Sequence, residues 1–195
     1  MALAAVLTPP SAAMPVSAEA VLAELPSDEL EVLRAKKLVV LSGGGDSTHV
    51  TGLVIFNRPV ERVMGLLADT GRAGEFRPEL ETDRTVETYS DGTLQEEGIR
   101  ILFTRITYFL RYRVDFAARR ITWQLDATHP SQLRRVDGYW ELFDMGDDQT
   151  LGRFGVQVDV GAVPASLQEY ATRRSIPKTM ENARRWIDSD GRWHP

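Results

Sequence analysis

The sequence predicts an α+β fold, a succession of antiparallel strands joined as hairpins and closed by a C-terminal helix. Three observations carry this. The stretch from Ile121 to Phe143 alternates apolar and polar residues on both sides of a turn at His129-Pro130-Ser131, the pattern of two half-buried strands with Trp123 and Trp140 on the same face. Runs with the same period recur from Leu80 to Val160, punctuated by turn residues at Ser90-Asp91-Gly92 and Gly146-Asp147-Asp148. After Gly161 the period changes, and Leu167, Tyr170, Ala171, Ile176, Met180, Ala183 and Ile187 mark one face of a long helix.

Taken in order, residues 1–17 are rich in alanine and proline and read as a disordered tail or the remnant of an export signal. The apolar stretch Ala2 to Leu7 falls short of a signal core of roughly 7–15 residues, and no Lys or Arg precedes it. Residues 18–47 form an N-terminal extension. Val21, Leu22, Leu25, Leu30, Leu33 and Leu38 recur at helical spacing around Pro26, with Asp28 and Glu29 early and Lys36 and Lys37 late, where the helix dipole favours each sign. Leu38 to Leu41 reads as a strand, and Ser42 to Ser47, SGGGDS, as a glycine-rich turn into the next strand, Val50 to Asn57.

Pro59 opens a helix with Val60, Val63, Met64 and Leu67 on one face, and Asp69 to Pro78 is irregular with room for a short second helix. Strands follow at Leu80–Tyr89, Thr93–Arg105, Tyr108–Ala117, the pair flanking His129, and Thr150–Val160. Gly138 suits a bend or the close approach of a large side chain. Pro177 kinks or restarts the final helix.

Composition excludes several functions. The 195 residues are 43% hydrophobic and 26% charged, enough for one domain with a core. A net charge of −5 gives no general attraction to nucleic acid or anionic lipid, and Asp115, Asp126, Asp137 and Glu141 interleave with the sheet arginines. The absence of cysteine excludes disulfides and thiolate chemistry. His49, His129 and His194 lack metal-ligand spacing, so no metal or other cofactor is expected. No run approaches the roughly 20 apolar residues of a membrane-spanning helix, and the compartment stays open between cytoplasmic and exported.

The element order, with VTGLVIFNRPVERVMGLLADTGRAGEFRPEL for the first strand and helices, ITWQLD and DGYWELF for two middle strands, and VDVGAVPASLQEYATRRSIPKTMENARRW for the last strand and helix, resembles the START-like (SRPBCC) helix-grip superfamily. That superfamily includes polyketide cyclase/dehydrase-like proteins, the coenzyme-Q-binding group and lipid-transfer domains. The resemblance spans Thr48 to Trp186, inside a domain taken as residues 48–190, and is strongest to bacterial versions with a G-x-W-x-L strand and a final helix containing an isoleucine-proline step, here Ile176-Pro177. It implies a curved antiparallel sheet of about seven strands wrapped around a long C-terminal helix, with short helices after the first strand and an apolar cavity between sheet and helix.

On that implication Trp123, Trp140, Tyr112, Val114, Phe116, Leu142, Phe154, Tyr170 and Met180 face inward as ligand-binding walls, and each is equally readable as plain core. Arg105 and Arg135 are candidates for the cavity mouth, where an arginine holds a head group or carboxylate by paired hydrogen bonds. The function implied is binding or transport of a hydrophobic small molecule, such as a lipid, a quinone or a polyketide-like compound. Its partners are that ligand, no nucleic acid, and a membrane at most transiently.

Two alternatives compete. A cyclase needs an inward acid, and of the adjacent Glu96 and Glu97 one must point inward. SGGGDS also resembles the phosphate loop of ATP pyrophosphatases, but the β-branched run after it reads as a strand where that loop requires a helix.

Overall fold

The computed structural model describes residues 16–42, 49–101, 104–159 and 175–195. Helices α1 (Ala18–Ala23) and α2 (Ser27–Lys36) lead into strands β1 (Leu38–Ser42) and β2 (His49–Phe56). Helix α3 (Val60–Ala68) and a 3-10 turn (Thr70–Glu75) precede β3 (Leu80–Tyr89), β4 (Gly92–Ile101), β5 (Thr104–Asp115), β6 (Arg120–Leu125), β7 (Arg135–Gly146) and β8 (Gln149–Asp159), and α4 (Ile176–Asp188) follows. All eight strands form one open antiparallel sheet in the order β1-β2-β8-β7-β6-β5-β4-β3. The segment containing α3 therefore carries the chain from β2 to the far edge of the sheet, and successive hairpins bring it back.

The sheet has eight strands where about seven were expected, because β1 pairs with β2 along its whole length, from Leu38 opposite Val54 to Ser42 opposite Val50. Residues 43–47 of the glycine-rich segment lie outside the described residues. What flanks them is an antiparallel hairpin, which removes the strand-then-helix setting that a phosphate-binding loop needs.

Local signals explain most boundaries. Ser17 caps α1 by accepting a hydrogen bond from the Ala20 N–H at 3.2 Å. Helix α2 ends at Lys37, whose φ of 61° is left-handed, so Leu38 begins β1 instead of extending the helical face. Pro177 lies in the first turn of α4, a position that tolerates its missing N–H. Leu167, Tyr170 and Ala171, expected earlier on the same helix, lie outside the described residues.

Two boundaries differ from expectation. Strands β4 and β5 pair up to Ile101 and Thr104, which puts the reversal before Arg105 and not at Ile106-Thr107. The run Arg100-Ile-Leu-Phe-Thr carries no Gly, Pro, Asn or Asp to mark it. Between β6 and β7 the chain takes residues 126–134 instead of a tight turn, with the Asp126 carboxylate accepting from the Thr128 N–H at 2.8 Å and Leu133 returning to the core.

Both faces of the central sheet are covered. On the inner face, Phe56, Val63, Met64, Trp140, Phe154, Met180 and Trp186 belong to one cluster with α3 and α4. On the outer face, α1 and α2 pack Val21 and Leu33 against Leu53, Ile55 and Leu151. Strand β2 is buried on both sides for this reason, and its sequence reads as a near-continuous apolar run. Asn57 ties the start of α3 to the end of α4 by donating from its backbone N–H to Asp188 at 2.7 Å and from its amide to the same carboxylate at 3.0 Å.

Gly138 sits opposite Trp123 in the β6–β7 register, and the indole lies over it so closely that an added Cβ falls 2.4 Å from Trp123 Cζ2 and 2.6 Å from the Gly155 carbonyl oxygen. Gly138→Ala is therefore expected to cost about 1–3 kcal/mol in urea unfolding. Gly65→Ala, on an exposed turn of α3 with nothing within 4 Å, is expected to be stabilising by about 0.5–1 kcal/mol.

Candidate functional site

Alternation on β5 sends Ile106, Tyr108, Leu110 and Tyr112 to the inner face. Register places Tyr112 opposite Trp123 and Trp140 opposite Phe154. The rings meet in tilted contacts, with centroids 5.9 Å apart for Tyr112–Trp123, 5.7 Å for Trp123–Phe154 and 4.9 Å for Trp140–Phe154. Between this aromatic wall and a roof of Leu66, Leu67, Ala73, Phe76 and Ile176 lies a cavity of about 200 Å³.

One end of the cavity is polar. Glu97, 1% exposed, points inward from β4, accepting a hydrogen bond at 2.8 Å from the Tyr108 hydroxyl and another at 2.8 Å from the Tyr112 hydroxyl. Arg77 donates from Nη1 to the same carboxylate at 3.1 Å and from Nη2 to the Tyr108 hydroxyl at 3.4 Å, with Nη2 also in ion-pair contact with Glu97 at 3.0 Å. Arg77, Tyr108 and Tyr112 line the cavity, whereas Glu97 stands behind them. Glu96 points the other way and pairs on the surface with Arg84.

Burial disfavours the guanidinium charge of Arg77, but the neighbouring Glu97 carboxylate overrides it and holds the Arg77 pKa well above its usual range. Burial, reinforced by the same carboxylate, pushes the Tyr108 and Tyr112 hydroxyls far up. Both therefore stay protonated as hydrogen-bond donors.

Of the residues expected to face inward, Trp123, Trp140, Tyr112 and Phe154 lie on the cavity wall. Leu142 and Met180 are buried in the adjoining core, Met180 against Gly52, and Val114 packs half-buried at its edge. Phe116 is a correction: it is 63% exposed, because β5 ends at Asp115 and the alternation does not continue into the turn. Tyr170 lies outside the described residues.

Arg105 and Arg135 are also corrections as residues of the cavity mouth. Arg105 is exposed and donates to Thr82 Oγ1 at 2.9 Å, and Arg135 is exposed and pairs with Asp137 at 2.9 Å. The arginine at the cavity is Arg77, in an irregular stretch without periodicity to mark it. Tyr108 was legible as an inward residue four positions before Tyr112, and so on the same strand face, and Glu97 faces it directly in the β4–β5 register.

The other polar clusters are structural. His129 stacks on Phe109 and its Nδ1 lies 3.1 Å from Asp126, but Asp126 is chiefly engaged with Thr128 in the β6–β7 connection, which lowers its pKa. Among the described residues no group of three or more His, Asp or Glu side chains converges as metal ligands. No helix among them is long and apolar enough to cross a membrane.

Neither a protein-family model nor a curated protein matches the sequence. Solved structures do. A START superfamily protein from Mycobacterium smegmatis aligns with a TM-score of 0.62 at 14% identity, over 72% of this chain and 97% of that one. A STAR-related lipid transfer protein from Xanthomonas axonopodis aligns with a TM-score of 0.63 at 13% identity, over 77% and 92%. The Zhui aromatase/cyclase from Streptomyces sp. R1128 aligns at 0.56 and 17% identity, over 73% and 90%. The chain has the START-like fold.

Two tests follow from the polar cluster. Arg77→Met leaves Glu97 buried without its cation, and is expected to cost about 3–5 kcal/mol in denaturant unfolding; Tyr108→Phe, which removes one donor to a charged acceptor, should cost about 1.5–3 kcal/mol. Because the phenol pKa values are raised on folding, their contribution is full below the unfolded-chain value of about 10 and is lost above it. Ultraviolet titration of the native protein should leave Tyr108 and Tyr112 un-ionised beyond that value, with stability falling as the pH rises further.

Proposed function

We propose that the protein binds a compact hydrophobic small molecule in the cavity, and that the sheet and α4 form a helix grip around it. The observation that carries this reading is a cavity of about 200 Å³ with a mostly apolar wall and a few convergent polar groups at one end. Packed cores leave few voids of this size, and a cavity of about 150 Å³ lined by apolar side chains is enough to take benzene. The ligand is thus the size of one ring system or a short acyl chain, held by its apolar part against Trp123, Trp140, Tyr112 and Phe154. A whole lipid or a long-tailed quinone needs more room than this.

The likeness to a lipid transfer protein and an aromatase/cyclase supports an occupied cavity without choosing between carriage and cyclisation. One observation favours keeping the second reading: Arg77, Tyr108 and Tyr112 present N–H and O–H donors at the cavity wall beside a buried carboxyl. Glu97→Gln separates the two, since a carrier keeps its ligand and a cyclase loses turnover.

Native mass spectrometry of the purified full chain, followed by organic extraction, tests the reading directly. A stoichiometric adduct that disappears in Ile99→Trp, where an indole fills the cavity from the half-buried Ile99 position, is the expected result. A clean apo mass that persists after incubation with mixed one-ring amphiphiles and short-chain lipids counts against it.

A further inference from the structure

We propose that the ligand of this cavity carries a protonated amine at its polar end and that anionic amphiphiles are rejected. The inference rests on the cavity being a ligand site and concerns the class of compound that enters it. Among the described residues, the charged side chains on the wall are Asp69, Arg77 and Glu79. Arg77 is the cation among them, and both of its terminal nitrogens already bind Glu97. An incoming carboxylate has to break a buried ion pair to reach it.

Negative charge is in surplus. Glu79 lies 3.9 Å from Arg77 Nε, accepts one hydrogen bond at 2.9 Å from the Thr179 hydroxyl, and keeps its side chain 25% exposed. Asp69 is exposed at the rim. Behind the wall, Asp83 stands opposite Glu97 in the β3–β4 register, and its buried Oδ1 has no hydrogen-bond partner among the described residues. Among the described residues the Arg77 guanidinium therefore faces Glu79, Asp83 and Glu97 together, while Asp69 lies within the field of Arg72. The rest of the wall is mostly aliphatic and aromatic, and Tyr108, Tyr112, Trp123 and Trp140 supply π-systems that attract a cation reaching a ring face. An ammonium group finds a carboxylate acceptor at Glu79 and ring faces beside it. Among the described residues a carboxylate finds neither a free cation nor a favourable field.

The test uses three one-ring probes of similar size, phenethylamine, phenethyl alcohol and hydrocinnamate, titrated into the full chain at neutral pH and read by calorimetry and by the fluorescence of Trp123 and Trp140. The expected order is amine, alcohol, carboxylate, with the amine at least about tenfold tighter than the carboxylate. Glu79→Gln should remove most of the amine's advantage while leaving the alcohol unchanged, and Asp69→Asn, at an exposed position, should reduce it to a smaller degree. Hydrocinnamate binding as tightly as the amine, or the alcohol equalling the amine, overturns the inference and leaves the ligand-binding reading standing. An amine preference untouched by both substitutions overturns it too. No binding by any of the three overturns the ligand-binding reading with it.

Discussion

Glu97 is 1% exposed on the inner face of the sheet, and a carboxylate so placed requires a cation and donors around it. Arg77, Tyr108 and Tyr112 supply them, from the segment after the 3-10 turn and from β5. A buried charge left without its partner costs several kcal/mol, so these three parts of the chain are held in fixed relation. The consequence for the cavity is direct. The tyrosine rings are anchored at their hydroxyl ends and cannot swing into the empty space beside them, whereas a purely apolar wall is free to relax toward a void.

The position of the empty space follows from where α4 goes. Helix α4 packs on β1 and β2, and there the inner face is filled by Phe56, Met180, Trp186 and Ile187. Met180 reaches so close to Gly52 that an added Cβ falls 2.5 Å from its terminal methyl, which has to move to admit a larger residue. Toward β5 and β6 the described residues that face the sheet across the cavity come from the end of α3, the 3-10 turn and the start of α4. Phe76, in tilted contact with Trp186 at 5.1 Å and accepting a hydrogen bond at its carbonyl from Asn182 at 3.0 Å, lies at the boundary between the filled half and the cavity.

Much of the architecture was legible because strand periodicity is a direct record of which face is buried. Ile121, Trp123, Trp140 and Phe154 could be assigned inward from alternation alone, and Gly138 as the place where something large comes close. The failures share a cause. Phe116 continues an alternation that ends one residue earlier at Asp115, and a two-residue period carries no signal of its own termination. Arg105 and Arg135 were chosen by residue type, which says nothing about side.

Arg77 was invisible for the opposite reason, since it belongs to an irregular segment with no period to read. Glu97 was half-visible: the Glu96-Glu97 pair required one inward carboxyl, and only the register, Glu97 against Tyr108, decides which. The strand count fell short because β1 was grouped with the N-terminal extension, and pairing between strands is a property of the fold that the composition of one strand does not carry.

The geometry of the polar end also weighs between carrying a ligand and transforming it. A general base needs a lone pair within hydrogen-bond reach of the substrate. Each Glu97 oxygen already accepts from a tyrosine and lies against Arg77, and the carboxyl stands behind the cavity wall. What the ligand meets first is the pair of tyrosines, and burial keeps their hydroxyls protonated with their protons aimed at Glu97. Such a group accepts a hydrogen bond and orients the polar end of a molecule; it does not remove a proton from it. On the ligand-binding reading proposed above, such a cluster positions a ligand, and its chemistry favours carriage over cyclisation because the Glu97 carboxylate is already engaged by Tyr108, Tyr112 and Arg77.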